Sequence, residues 1–168
     1  MRKRFGAWTA TAVFVGATAL GAQAAESTAQ RFEKIKTLAG DWIDAEGDGS
    51  VAASYRVTAG GSAVVETMLP GTPYEMVTVF TIDKDDLVLT HYCAQGNQPH
   101  MKAIKGGEAG TIAFKFDGGG NMKSTNDGHM HDATFTFVDA DHVKSTWQYY
   151  KDGKPGEKAE FSHVRKKS

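Results

Sequence analysis

The residues best equipped for chemistry fall in two stretches. "LVLTHYCAQGNQPHM", Leu87 to Met101, starts as an apolar strand and runs into His91, Cys93, Gln95, Asn97, His100 and Met101. "NDGHMHD" sets His129 and His131 two residues apart, with Asp127 and Asp132 beside them. Residues at i and i+2 of a strand share a face. His129 and His131 would therefore chelate zinc or copper if a third ligand, His91 or His100, reached them across an interior. Spacing alone locates no third ligand, and the preferred reading has the pair lining a polar, hydrated mouth. Cys93 beside His91 has the residue types of a thiol nucleophile and its base. A free cysteine is more often a small buried hydrophobe, which is the reading preferred here. Glu66, in "AVVETML", is expected to face solvent as most glutamates do.

Two apparent motifs fail on their spacing. "DAEGDGS" opens like a calcium-binding EF-hand loop, yet its twelfth position is Tyr55 where a bidentate glutamate is required, so it reads as a hairpin turn. "DGGGNMKS" has the glycines but not the Gly-Lys-Ser/Thr opening of a phosphate-binding loop, and reads as a flexible connection.

The elements that must position these residues are short. Ser27 is a helix cap, Phe32, Ile35 and Leu38 fall at helical spacing and Gly40 ends the run, which predicts one helix near Ser27 to Leu38. From there on, β-branched and aromatic runs alternate with turn signals such as "AGGS", "PGTP", "DKDD", "KGGEAG", "DADH" and "KDGKPGE". Tight turns join antiparallel neighbours, so the pattern predicts an all-β antiparallel barrel or sandwich of nine or ten strands. Parity assigns the inward face: Leu87, Leu89, His91 and Cys93; Ile112, Phe114 and Phe116; His129, His131, Ala133, Phe135 and Phe137; Val143, Ser145, Trp147 and Tyr149; Phe161, His163 and Arg165. That interior is aromatic yet holds several histidines, which need partners, water or a ligand.

Met1 to Ala24 has the make-up of a secretory signal: Arg2, Lys3 and Arg4, an apolar run to Leu20, and the small-x-small site Ala22-Gln23-Ala24. Residues 1–24 are thus expected to be a signal peptide, 25–39 the helical segment and 40–168 the barrel, in an exported protein of the periplasm or the medium. Thr9, Thr11 and Thr18 argue against a permanent membrane anchor. The single cysteine, Cys93, forbids an intrachain disulfide and lies too far from the cleavage site to carry a lipid. Cleavage would leave 144 of the 168 residues, with 16 Lys and Arg against 20 Asp and Glu, a net charge of −4. That balance argues against nucleic acid or an anionic membrane as the main partner.

"LAGDWIDAEGDG" after a helix resembles the start of calycin-type barrels, the lipocalins and their relatives, with Gly40 and Trp42 in the Gly-x-Trp motif. The resemblance implies that Trp42 packs against a basic side chain from the last strand, a role Arg165 in "FSHVRKK" is placed to fill. "AGGSAVVETM" followed by "LTHYC" is similar to secreted bacterial lipocalin-like domains. One calycin branch, the nitrobindin-like barrels, binds haem through a histidine of the last strand, and by that resemblance His163 is the haem candidate. The expectation carried forward is a barrel that binds a small, partly apolar molecule without catalysis and without a cofactor. His91, His129, His131, Trp147 and Tyr149 would line it, with Gln95, Asn97 and Met101 at its rim. A metal- or haem-dependent redox barrel using the same histidines, and a solid-cored interaction module, are the alternatives.

Overall fold

A computed structural model of the chain describes residues 26–167. The expected leader, 1–24, lies outside the described residues. The helix α1 spans Thr28–Lys36, shorter than the sequence spacing suggests. Ser27 and Gln30 form a reciprocal cap, the Gln30 N–H donating to Ser27 Oγ at 3.2 Å and the Ser27 N–H to Gln30 Oε1 at 2.9 Å. Arg31, Phe32 and Ile35 are its buried residues.

Ten strands follow: β1 (Gly40–Asp44), β2 (Val51–Thr58), β3 (Ala63–Met68), β4 (Met76–Asp83), β5 (Asp86–Tyr92), β6 (Gln98–Ala103), β7 (Thr111–Gly120), β8 (His129–Phe137), β9 (His142–Lys151) and β10 (Lys154–Arg165). Each pairs antiparallel with its chain neighbour, and β1 pairs with β10, so the sheet closes into an up-and-down barrel without a free edge. "DAEGDGS" is indeed the turn between β1 and β2. Gly118, Gly119 and Gly120, read from sequence as part of a connection, are instead the last residues of β7, with Gly119 and Gly120 opposite Pro99 and Gln98.

An antiparallel meander puts alternate turns at opposite ends, and α1 closes one of them. Thr28 Oγ1 donates to the Asp85 carbonyl between β4 and β5 at 2.7 Å, and Arg31 Nη1 to the Ile104 carbonyl after β6 at 2.8 Å. Arg165, at the end of β10, lies with its guanidinium 4.3 Å from the centre of the Trp42 ring, and donates to the carbonyls of Thr37 (2.8 Å), Ala39 (2.9 Å) and Ala140 (3.1 Å). Trp42 Nε1 donates to the Leu38 carbonyl at 2.7 Å. Gly40 fits beneath this clasp because its φ of +122° suits glycine, and an added Cβ would stand 3.4 Å from Arg165 Nη1. Two carbonyls just past the helix end and one in the β8–β9 turn are thereby satisfied by one side chain.

The interior next to α1 is solid. Phe80 packs against Phe114 and Phe135 with ring centres 5.9 and 5.4 Å apart, and Phe135 meets Trp147 at 5.9 Å. Ile35, Leu38, Leu87, Leu89, Met101 and Ile112 complete this core. Met101, expected at the rim, is wholly buried there, opposite Leu89 and Phe116, because β6 begins at Gln98 and carries it three residues inward. Among the described residues no helix is long and apolar enough to cross a membrane.

Candidate functional site

The barrel end away from α1 holds the turns after β1, β3, β5, β7 and β9. Two of these are sewn together by asparagine amides. Asn97 Nδ2 donates to the Gly128 carbonyl and Asn121 Nδ2 to the Gly96 carbonyl, both at 2.7 Å, while the Asp152 N–H reaches the Asn126 carbonyl at 2.9 Å. Asn97 is buried, with its Oδ1 unpartnered. It serves as a strut between loops, whereas Gln95 is exposed.

Beside these loops lies a cavity of about 390 Å³ lined by Gln95, Met130, Tyr149, Gly156, Glu157, Lys158 and Ala159. Its floor is apolar: Met130 and Ala159 are partly buried and pack on the core. Ala159 is the cross-strand partner of Trp147, and Met130 that of Tyr149. A second depression of about 510 Å³ lies on the flank of β9 and β10, among the outward side chains of Lys144, Glu160 and Ser162. His163 reaches it from a buried position, where desolvation lowers its pKa and Asp44 opposes that shift.

Beneath the mouth runs a polar rung that the sequence reading missed. Tyr55, Glu66, Thr78 and His91 are direct cross-strand partners on β2, β3, β4 and β5. All four are buried, so Glu66, expected to face solvent, instead points inward with 1 % of its surface exposed. Val64 and Met68, on the same parity, are its buried neighbours. The Tyr55 hydroxyl donates to Glu66 Oε1 at 2.5 Å, and Thr78 Oγ1 lies 3.0 Å from His91 Nδ1. The His91 ring packs on Trp147 with centres 4.7 Å apart. Its Nδ1 is therefore taken by Thr78 and not by the thiol of Cys93.

Burial sets the protonation of this rung. It lifts the Glu66 pKa to about 7, the Tyr55 and Thr78 hydroxyls opposing the rise, although only His91 stands in hydrogen-bond geometry with Thr78. Burial also drives the Tyr55 pKa well up, reinforced by Glu66, and lowers that of His91 to about 4, so the imidazole is neutral. Three atoms of the group have no hydrogen-bond partner and are sealed from solvent: Glu66 Oε2, His91 Nε2 and Trp147 Nε1. Each such group costs on the order of 1–3 kcal/mol.

His129 and His131 form a separate cluster. His129 Nε2 lies 3.0 Å from His131 Nδ1, and His129 Nδ1 lies 2.7 Å from the Asp127 carbonyl. The two nitrogens face one another, and His131 is stacked between Phe116 and Tyr150 at 5.2 and 4.0 Å. A register shift between Met130 and Asp132 makes His131 an extra residue in β8, which is why Met130, not its neighbour, meets the core. His91 belongs to the other group, against Thr78 and Trp147. Among the described residues, no three His, Cys, Asp or Glu side chains converge in a way that could hold a metal ion.

Of the residues singled out from sequence, the fold thus brings His91 to Trp147, His129 to His131, and Gln95 to Tyr149, and leaves His163 on the other flank. No family model and no curated protein matches this chain.

Proposed function

We propose that the chain is an exported, calycin-like barrel that binds a small, partly apolar molecule at its open end and performs no catalysis on it. The observation that carries this reading is the mouth cavity of about 390 Å³, whose floor of Met130 and Ala159 rests on the aromatic core while Gln95, Tyr149, Glu157 and Lys158 ring it. Ligand sites commonly combine such apolar walls with a few polar groups that fix orientation. Among the described residues α1 and the Arg165 clasp cover the opposite end, which leaves the mouth as the end open to a ligand. The calycin assignment is supported by the ten-stranded closed barrel and by the stacking of Arg165 on Trp42. Export is supported by the signal-like residues 1–24.

The test is a titration with N-phenyl-1-naphthylamine, a dye that fluoresces in apolar sites. Saturable binding is expected, and Ala159→Trp, which fills the floor, is expected to weaken it at least about tenfold. Unsaturable binding, or equal binding by the filled variant, would overturn the reading.

A further inference from the structure

We propose that Glu66, His91 and Trp147 form a subsite beneath the mouth that takes the neutral polar end of the bound molecule, a hydroxyl or carboxamide carried on an apolar body. The inference rests on the mouth being a ligand site and adds to it the chemistry of the ligand's head. Three strands, β3, β5 and the facing β9, deliver one unpartnered polar atom each to the interior: Glu66 Oε2, His91 Nε2 and Trp147 Nε1. The three side chains are at most 2 % exposed. Register and stacking place them on one level of the barrel, since Glu66 and His91 flank Thr78 as its two cross-strand partners and His91 lies on Trp147.

The donor and acceptor pattern selects the head group. Trp147 Nε1 only donates, so it requires an acceptor, which an ammonium group lacks. Glu66 accepts as a carboxylate and both gives and takes as a carboxylic acid, so it is met in either state by a group that does both, while its ionised form repels a second carboxylate. His91 Nε2 donates or accepts according to its tautomer, which follows the Thr78 hydroxyl. A hydroxyl or carboxamide both gives and takes a hydrogen bond, and satisfies the pair without bringing a charge into an apolar interior. The mouth cavity lies nearest this group at Ala159, the cross-strand partner of Trp147, and at Met130, whose unbranched side chain can change rotamer to admit a ligand.

Four probes of equal chain length decide the matter: 1-decanol, decanamide, decylamine and decanoate, each competed against N-phenyl-1-naphthylamine near neutral pH. The second readout is the indole N–H signal of Trp147 in a ¹H–¹⁵N spectrum, assigned with Trp147→Phe. Decanol and decanamide are expected to bind at least about tenfold more tightly than the two charged probes, and to move the Trp147 signal. Glu66→Leu should erase that preference, whereas Glu66→Gln, which still gives and takes hydrogen bonds, should keep it. Equal displacement by all four probes with the Trp147 signal unmoved would overturn the subsite and leave the mouth reading standing. A preference for decylamine or decanoate would overturn the neutral-head assignment. Absence of dye binding in the first place would overturn the mouth reading itself.

Discussion

Glu66 sits in an environment far from what its side chain prefers. Its ordinary pKa of 4.5 is raised to about 7, so the folded protein holds a proton that the unfolded chain releases. Between these values rising pH favours unfolding, and above about pH 7 the accumulated loss reaches about 3 kcal/mol. His91 acts in the opposite sense, its lowered pKa withdrawing stability as pH falls from 6.5 toward about 4. Glu66→Gln removes the ionisation while keeping an acceptor for Tyr55. Denaturant unfolding should therefore find this variant more stable than the parent by up to about 3 kcal/mol near pH 8, and much closer to it near pH 4.5. Equal stability of the two proteins near pH 8 would contradict the burial of an ionisable carboxyl there. The sequence hid this residue for a physical reason. In "AVVETM" both faces carry apolar side chains, Ala63 and Val65 on one and Val64 and Met68 on the other, so alternation could not say which way Glu66 points. Trp147 and His91 were legible, because their strands alternate cleanly.

At the level of elements, the barrel depends on how its two ends are finished. Arg165 ties β10 to the segment after α1 and to the β8–β9 turn while lying on Trp42. Arg165→Ala strips partners from three carbonyls and exposes the indole, and is expected to lower stability by about 2–4 kcal/mol in denaturant unfolding. Arg165→Lys should recover only part of this, since an ammonium cannot fork to several carbonyls in one plane. At the other end Asn97 holds the β5–β6 turn to Gly128. Its replacement by Ala should speed amide exchange in residues 121–128 while protection in β4 and β5 stays as it was. Uniform loss of protection across the barrel would show that Asn97 is part of the core instead of a strut. The helix cap and the strand count were readable from Ser27, Gln30 and the spacing of turn residues. The displacement in β8 was not, because a bulge leaves no mark in an alternating pattern. Its effect was to move Met130, not His131, onto the core.

The whole molecule is a closed wall with one shut end, one packed half and one mouth. Among the described residues closure leaves no strand edge for pairing with other chains, and the two larger depressions lie on the flank and at the mouth. The depression on the flank mixes Val138, Val143 and Val164 with the charged Asp44, Glu46, Lys144 and Glu160, whereas the one at the mouth is floored by Met130 and Ala159 at the open end of the barrel. This contrast is why the mouth is assigned the ligand. The most direct measurement is a native mass spectrum of the protein recovered from its own compartment, set against the denatured mass. A bound organic species of a few hundred daltons at most, released on denaturation, is the expected result for a cavity of about 390 Å³. An excess mass equal to a metal ion or to haem, or no excess mass together with no saturable dye binding, would contradict it.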